Sequence, residues 1–173
     1  QIFQVIGEAA DALNQPVYVV GGYVRDYYLD RLKEEPDIDF VTIGSGIKLA
    51  TKVHRAIPGS NISVFKRFGT AQVKINGLEL EFVGARRESY RRDSRKPIVE
   101  DGTRQDDQER RDLTINAMSW SLNKDNVGTL LDPFGGISDL KKKLIRTPIN
   151  PDKTFDDDPL RMMRAVRFAS QLG

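Results

Sequence analysis

The sequence lacks cysteine, has a single histidine and contains no long hydrophobic run. Without cysteine, disulfides and thiolate metal sites are excluded, and His54 alone does not make a zinc cluster. A bound metal would therefore be held by oxygen ligands, which favours magnesium, manganese or calcium. No apolar segment is long enough to cross a bilayer and the start does not resemble a signal peptide. We therefore expect a cytoplasmic protein with no membrane partner.

An excess of charge of one sign is also missing. Charged residues make up 30% of the 173 residues, yet 27 basic and 25 acidic side chains leave a net charge of only +2. Contacts with nucleic acid would therefore depend on local clusters rather than on a global basic field. The chain begins without methionine and ends directly after a helical pattern, so we expect a fragment or an expressed domain.

A β-hairpin is the clearest local pattern. Asn76-Gly77 separates two runs of alternating polarity, and this dipeptide favours a type I′ turn because both central residues take positive φ. The turn sets the register and places apolar side chains on one face of the hairpin and polar ones on the other. The expected pairs are Ala71–Phe82, Gln72–Glu81, Val73–Leu80, Lys74–Glu79 and Ile75–Leu78.

The remaining elements follow from apolar spacing. Strands are predicted at 17–20 and 38–43 and helices at 1–13, 24–32, 47–57, 107–122, 140–144 and from about 158. The segment 86–96, RRESYRRDSRK, has six basic residues against two acidic ones and is predicted to be a mobile loop. Phosphate neutralisation makes it a candidate RNA contact. The residues concerned are Arg86, Arg87, Arg91, Arg92, Arg95 and Lys96.

Two aspartates, Asp37 and Asp39, lie two positions apart on a predicted strand whose other positions are Ile38 and Phe40. Their side chains therefore share one face, and the hairpin places Glu81 on the same kind of polar face. Carboxylates at this spacing suit two divalent cations about 3.5 to 4 Å apart. The alternative is an acidic alternation on a solvated strand, which is common.

A glycine pair, Gly21-Gly22, follows the first predicted strand and precedes a helix. Such a turn brings backbone N–H groups to an anion without obstruction by a Cβ atom, and Arg25 would add a charge-assisted contact to a phosphate. The alternative is that the glycines only permit the turn and that Arg25 pairs with Asp26 or Asp30.

The chain lacks the Walker A and G-x-G-x-x-G motifs. Its motifs GGYVRDYYL, DIDFVTIG, EDGTRQDDQERRDLTINAM, LLDPFGGISDLKKKLIRTP and DDDPLRMMRAVRFA closely resemble the head of class II tRNA nucleotidyltransferases, the CCA-adding enzymes, and of the related bacterial poly(A) polymerases. The resemblance runs from about Val17 to Ala169. It implies an α/β (α+β) fold of the polymerase-beta-like nucleotidyltransferase type: a small mixed, twisted sheet with helices on one face, followed by the start of a helical neck.

The resemblance also implies roles for particular residues. Two Mg²⁺ ions, with Mn²⁺ as a substitute, would be held by catalytic carboxylates, and the rest of the site would bind the nucleotide. The RRDFTINA element of the family matches residues 110–117 with Leu113 in place of phenylalanine, and its E-D-x-x-R element has Asp157 in place of glutamate. The catalytic and metal residues would be Asp37, Asp39 and Glu81. The nucleotide-binding residues would be Gly21, Gly22, Arg25, Arg111, Asp112, Asn116, Asp158, Arg161 and Arg164.

Structural explanations for the later motifs remain open. Arg110 and Arg111 would be solvated on a basic helix, and Asp158 would cap a helix with Arg161 bonded to it one turn later. In the family, the carboxylate and guanidinium of the last motif recognise CTP or ATP in place of a nucleic-acid template.

The implied activity is addition of C, A or both from CTP and ATP to the 3′ end of tRNA, with release of pyrophosphate. The alternatives are a poly(A) polymerase, an enzyme that adds only CC or only A, and a non-catalytic fragment that binds nucleotide or RNA. The implied domains are a catalytic head at 1–145 and a linker with the first neck helix at 146–173, the rest of the neck, the body and the tail being absent. The implied partners are tRNA and nucleoside triphosphates, with no protein partner.

Overall fold

The computed structural model describes residues 1–91 and 94–173, and for residues 89–99 it describes nothing of the side chains. The chain forms two compact units. The first contains Gln1–Ala85 and Ser119–Leu131, and the second contains Arg86–Met118 and Asp132–Gly173. The predicted RNA contact at Arg92 lies outside the described residues. The division into domains at 145/146 stays a prediction.

The first unit is built on a seven-stranded sheet. Its strands are β1 (Val17–Val20), β2 (Asp37–Thr42), β3 (Asn61–Phe65), β4 (Thr70–Ile75), β5 (Leu78–Gly84), β8 (Ser119–Ser121) and β9 (Leu130–Leu131), in the order β3-β4-β5-β2-β1-β8-β9. Strands β2 and β5 are parallel, and the other neighbouring pairs are antiparallel. The predicted mixed sheet is therefore confirmed. Strand β3, at one edge of the sheet, was not predicted.

Three α-helices accompany this sheet. They are α1 (Ile2–Asp11), α2 (Gly22–Tyr28) and α3 (Gly46–Ala56), and a short 3₁₀ helix at Lys66–Phe68 joins β3 to β4. The predicted helices at 1–13 and 47–57 are confirmed. The prediction that α2 continues to Leu32 is wrong, because Asp30 takes a positive φ of 54° directly after the helix. A residue in that left-handed conformation does not continue a right-handed helix.

One face of the sheet carries the core. Phe40 of β2 and Phe82 of β5 are fully buried, and their rings stack with centroids 5.0 Å apart. Phe3 of α1 packs edge-on against Phe40 at 6.0 Å. Helix α3 contributes the fully buried Leu49 and Val53. Alternate positions on the strands thus bury the apolar side chains, as their spacing predicted.

The opposite face is polar only in part. Asp37, Asp39 and Glu81 are exposed on it, as predicted. The register also places a small apolar cluster on this face, in which Val20, Val41 and Ala85 are buried and Tyr18 and Ile43 are partly buried. The carboxylate-bearing face is therefore apolar near β1, because the apolar run of β1 supplies side chains to both faces of the sheet.

The predicted hairpin is confirmed in full. All five expected pairs occur between β4 and β5, from Ala71–Phe82 to Ile75–Leu78. Asn76 and Gly77 have φ of 49° and 81°, the positive values that a type I′ turn requires.

The second unit contains a two-stranded hairpin of β6 (Arg86–Arg91) and β7 (Ser94–Asp101). The prediction of a mobile loop at 86–96 is therefore wrong. The prediction was based on the low apolar content of the segment, but a ladder of backbone hydrogen bonds does not need apolar side chains. Arg86 pairs with Asp101 and Arg87 with Glu100 in the register, and opposite charges on paired strands stabilise a sheet.

The helices of the second unit are α4 (Arg104–Glu109), α5 (Gly136–Lys142), α6 (Pro151–Asp157) and α7 (Leu160–Leu172), with a 3₁₀ helix at Thr114–Asn116. The predicted helix at 107–122 is wrong. A capping box of Thr103 and Asp106 starts α4 earlier, and the Asp112 carboxylate accepts from the Leu113 amide at 2.8 Å. That local bond competes with helical bonding. Helix α5 begins four residues before its prediction, α7 starts near the predicted position and α6 was missed.

Buried apolar side chains form the core of the second unit. Leu113, Ile115 and Phe168 are its buried members. Leu140, Ile145, Ala165 and Leu172 pack against them. In the described ranges, no helix has the length and apolar character needed to span a bilayer.

Replacing Gly77 by alanine tests the hairpin turn. A left-handed conformation costs an L-residue roughly 1–2 kcal/mol, so Gly77→Ala should lower the free energy of unfolding by about that amount, measured by urea denaturation. Asn76→Gly is the matched control and should leave the midpoint nearly unchanged. Equal midpoints for wild type and Gly77→Ala would contradict the assigned turn.

Candidate functional site

The parallel pairing of β2 with β5 brings the predicted carboxylates together. Asp39 is the register partner of Glu81, and Asp37 is the partner of Glu79. Neighbouring strands lie about 4.8 Å apart, so four carboxylates share one small area of the polar face. Asp37, Asp39 and Glu81 are exposed, and Glu79 is half-buried.

The carboxylates of this area fit a metal ion in small number only. Within the described ranges, no three His, Asp or Glu side chains are grouped so that they could hold a metal ion. Mg²⁺ is commonly bound by only one or two carboxylates, together with water and substrate phosphates. The pair Asp37 and Asp39 fits a Mg²⁺ ion that is bound together with a nucleotide. The role of Glu81 as a third ligand stays a prediction.

Glu79 contacts two side chains of strand β4. Gln72 donates from Nε2 to its carboxylate at 2.8 Å, and Lys74 donates to its other oxygen. These contacts engage Glu79 in the structure of the hairpin. It is therefore a useful comparison for the two aspartates.

The glycine turn lies at the end of β1. Gly21 has φ 72° and ψ −130°, a combination that residues with a Cβ atom avoid. Gly22 begins α2, and a Cβ atom there would be 3.7 Å from Nη2 of Arg25, so the guanidinium lies beside the glycine pair. Both Nε and Nη2 of Arg25 are 2.8 Å from Asp26 Oδ1. The structural alternative for Arg25, pairing with Asp26, is thus observed.

In the second unit, the buried Asp107 holds two arginines. Its Oδ1 accepts from Arg110 Nε at 3.0 Å and its Oδ2 accepts from Arg111 Nη2 at 2.9 Å. Burial by itself would raise the pKa of Asp107, but the charges of Arg111 and Arg110 outweigh it and hold the pKa below its ordinary value. The alternative of solvated arginines is therefore wrong, since both guanidinium groups are fixed by one carboxylate.

Asp112 is bonded to two other predicted nucleotide-binding residues, Asn116 and Arg164. It is 7% exposed and accepts from Asn116 Nδ2 at 3.0 Å and from Arg164 Nε at 2.7 Å. The Arg164 guanidinium also lies 5.5 Å from the centroid of the Phe168 ring. Asp112 thus orients a half-exposed arginine that stands 52 residues away in the sequence.

Asp158 and Arg161 flank the junction of α6 and α7. The Asp158 carboxylate accepts from the Leu160 amide at 3.1 Å, and the Arg161 amide donates to the Asp158 carbonyl at 3.0 Å. Arg161 is 8% exposed and donates from Nη1 to the Thr154 carbonyl at 3.3 Å. The predicted bonding of the start of α7 to Asp158 is thus present, but the N-cap residue of this helix is Pro159 and not Asp158.

A cavity of about 150 Å³ lies beside this junction. Its lining consists almost entirely of charged side chains: Arg87, Glu88, Asp106, Glu109, Arg110, Lys153, Asp157 and Arg161, together with Ile149. The Arg110 guanidinium donates to Glu88 Oε1 at 3.2 Å within it. Asp157, which replaces the family's glutamate, therefore faces the same space as Arg161.

The sequence interpretation missed Asp107 and the carboxylates of the Gly135-Gly136 turn. Asp107 precedes Arg110 and Arg111 by three and four positions, the spacing at which helical side chains meet, so a signal was present. Asp132 accepts from the amides of Gly136 and Ile137 at 2.6 and 2.9 Å. Asp139 is 3% exposed and binds Thr114 Oγ1 and Arg146 Nε, contacts between residues too distant in sequence to be inferred from spacing.

A mixed sheet with a glycine turn on one strand and paired carboxylates on the next is the arrangement of a nucleotidyltransferase head domain. The family described as the poly(A) polymerase head domain matches residues 17–146. The chain belongs to this family.

Curated relatives and solved structures agree with this assignment. The A-adding tRNA nucleotidyltransferase of Aquifex aeolicus is 49% identical over 155 residues, which is 90% of this chain and 18% of the relative. The CCA-adding enzyme of Bacillus velezensis is 42% identical over 158 residues, 90% of this chain and 37% of the relative. The chain thus spans less than two fifths of either protein.

Two solved structures show the same fold. A CCA-adding enzyme in an apo form has a TM-score of 0.87 at 38% identity, covering 97% of this chain and 39% of that one. A tRNA nucleotidyltransferase complexed with a primer tRNA and an incoming ATP analog has a TM-score of 0.79 at 43% identity, covering 95% of this chain and 44% of that one.

We name Asp107, together with the Arg110 and Arg111 side chains that it holds, the arginine clamp. Replacing Asp107 tests it. Asp107→Asn leaves two arginines without their carboxylate, and breaking a buried ion pair costs roughly 3–5 kcal/mol. Because the folded pKa is below the unfolded value near 3.8, the stabilisation is complete above that value and is lost as the pH falls through the folded pKa. The difference in the free energy of unfolding between wild type and Asp107→Asn should therefore become smaller in acid. Chemical denaturation at a series of pH values measures it.

Glu109→Gln makes the same charge change in the same helix and serves as the control. Glu109 is partly exposed and accepts from Gln105, so its replacement should cost less than about 0.5 kcal/mol. An equal cost for Asp107→Asn and Glu109→Gln at neutral pH would contradict the clamp.

Proposed function

We propose that the protein containing this chain is a template-independent RNA nucleotidyltransferase that adds C, A or both from CTP and ATP to the 3′ end of tRNA. The RNA 3′-hydroxyl attacks the α-phosphate, a new O–P bond forms, the bond to the β-phosphate oxygen breaks, and pyrophosphate leaves. The observation that carries the proposal is the register that sets Asp39 beside Glu81, with Asp37 on the same face, in a member of this family.

In this proposal, the first unit supplies the metal end of the site. Asp37 and Asp39, with Glu81 as a further carboxylate, would hold two Mg²⁺ ions, or Mn²⁺ in their place. Ions held there would supply a lowered pKa for the attacking hydroxyl and neutralisation of charge on the leaving phosphates. The carboxylates contribute position: they are anchored on neighbouring strands whose other face is packed in the core.

The glycine turn is proposed to bind the triphosphate. Backbone amides after Gly21 approach an anion without a Cβ in the way. Helix α2 is only seven residues long, so we assign most of the charge stabilisation to Arg25 rather than to the helix dipole. Asp26 holds the Arg25 guanidinium beside Gly22, and a guanidinium carries five N–H donors for phosphate oxygens and protein partners.

The second unit is proposed to recognise the nucleotide. Arg111, Asp112 and Asn116 would contact its phosphate and ribose, and Asp158, Arg161 and Arg164 its base. A carboxylate and a guanidinium together offer acceptors and fixed donors, which match cytosine or adenine and reject uracil or guanine. The buried carboxylates Asp107 and Asp112 support this role because they orient Arg111 and Arg164 before any ligand binds. Residues 1–145 are proposed to form the catalytic head, and residues 146–173 the linker and the first helix of the neck.

Addition of A alone is the second candidate. It is favoured by the Aquifex relative, which is named an A-adding enzyme, whereas the Bacillus relative is named a CCA-adding enzyme. The full-length protein should be given tRNA without its 3′ end and CTP, ATP or both. Addition of C, C and then A supports the first candidate, and A alone supports the second. A long A tail would indicate a poly(A) polymerase, and no incorporation would indicate a non-catalytic protein.

The metal assignment predicts the effect of Asp39→Asn. Loss of a metal ligand removes several kcal/mol of transition-state stabilisation, so incorporation should fall by about a thousandfold or more. Glu79→Gln is the matched control, since Glu79 lies on the same face and is engaged by Gln72 and Lys74. Its rate should stay within about threefold of wild type. A near-normal rate in Asp39→Asn, measured with radiolabelled ATP, would refute the metal assignment.

The recognition assignment predicts a loss of selectivity in Arg161→Lys. Lysine keeps the charge but loses the planar fork that distinguishes bases, so misincorporation of U or G should rise about tenfold, while the KM for ATP changes less. Arg167→Lys, on an exposed position of the same helix stacked on Phe168, is the control. Unchanged selectivity in Arg161→Lys would indicate that Arg161 has only a structural role at the helix junction.

A further inference from the structure

The polar face continues from the carboxylates towards β3, the edge strand of the sheet. The register runs from Asp39 through Glu81 and Gln72 to Ser63. Two residues further along β3, Phe65 has the same parity and therefore lies on the same face. We name Ser63, Phe65 and Gln72 the edge platform.

The geometry of the proposed reaction indicates on which side of the carboxylates the RNA binds. Strand β1 lies on one side of β2 and β5 on the other, and the glycine turn proposed to bind the triphosphate follows β1. Attacking and leaving oxygens are roughly in line in phosphoryl transfer. If pyrophosphate departs on the β1 side, the attacking 3′-hydroxyl must approach from the side of β5, β4 and β3.

The edge platform has the chemistry that a single-stranded RNA end requires. Phe65 is 47% exposed and provides a surface on which a base can stack. Gln72 and the exposed Ser63 offer polar groups between Phe65 and Glu81. Lys66 and Arg67 follow Phe65 and are exposed, so they place positive charge where the RNA backbone would pass.

The width of the edge platform also suits the end of an RNA strand. Strands β5 and β3 are two interstrand spacings apart, roughly 10 Å, so the platform extends from the reacting carboxylates over the length of a terminal nucleotide and its neighbour. We propose that the edge platform binds the 3′-terminal segment of the RNA, with the terminal ribose over Gln72 and Glu81 and a base stacked on Phe65. This inference rests on the proposed function and adds to it the location of the acceptor end.

Replacing Phe65 tests the platform in the full-length protein, with tRNA lacking its terminal A as the substrate. Stacking of one base on an aromatic side chain is worth about 1–3 kcal/mol by alanine substitution. Phe65→Ala and Phe65→Leu should therefore lower kcat/KM for tRNA by about tenfold, while the KM for ATP stays within about twofold. Phe65→Tyr keeps the ring and should restore kcat/KM for tRNA.

Val64→Ala is the matched control. Val64 is 41% exposed on the same strand but faces the opposite side of the sheet, so its loss should leave both kinetic constants unchanged. Thermal melting of each variant shows whether the fold is retained. Phe65→Leu keeps most of the side-chain volume, so a fall in its kcat/KM without a lower Tm indicates the loss of stacking. Wild-type kcat/KM for tRNA in Phe65→Ala, or an equal fall in Val64→Ala, would overturn the edge platform while leaving the proposed function intact. A wild-type protein that incorporates nothing would overturn both.

Discussion

The parallel pairing of β2 with β5 is the constraint on which the site depends. In this register, the buried rings of Phe40 and Phe82 stack on one face, and Asp39 lies beside Glu81 on the other. A slip of one residue would exchange the two faces and bury the carboxylates. Burying a phenylalanine contributes about 2–3 kcal/mol, whereas burying an unpaired carboxylate is strongly unfavourable. The packing of the core therefore decides where the carboxylates stand.

In the second unit, buried carboxylates play the equivalent part. Asp107 and Asp112 are nearly inaccessible, whereas the side chain of Arg164, which Asp112 holds, is 42% exposed. Their negative charge fixes the direction of long, flexible cations that would otherwise lose entropy on binding a ligand. Removing such a carboxylate would leave the arginine present but poorly directed. Asp107 and Asp112 thus set the direction of the arginines that they hold.

Local patterns predicted much of this structure, and long-range contacts account for the rest. The hairpin at Asn76-Gly77 and the shared face of Asp37 and Asp39 follow from alternation and turn chemistry, which operate over a few residues. The helix prediction for 107–122 was wrong because a capping box and the Asp112 side chain interrupt an otherwise helical apolar spacing. The link from Asp112 to Arg164 spans 52 residues, and no spacing rule indicates it. Strand β3 was missed since only pairing with β4 makes its exposed residues a strand.

The position of β3 at the sheet edge has a cost for solubility. An edge strand offers backbone hydrogen-bonding groups to any other extended chain, and β3 also exposes Val64 and Phe65. Segments of this kind promote intermolecular pairing and aggregation unless charged residues interrupt them. Lys66 and Arg67, directly after the strand, supply like charges that repel a second copy. The same two cations would thus attract a polyanion and keep neighbouring molecules apart, so variants that neutralise them are expected to self-associate at high concentration.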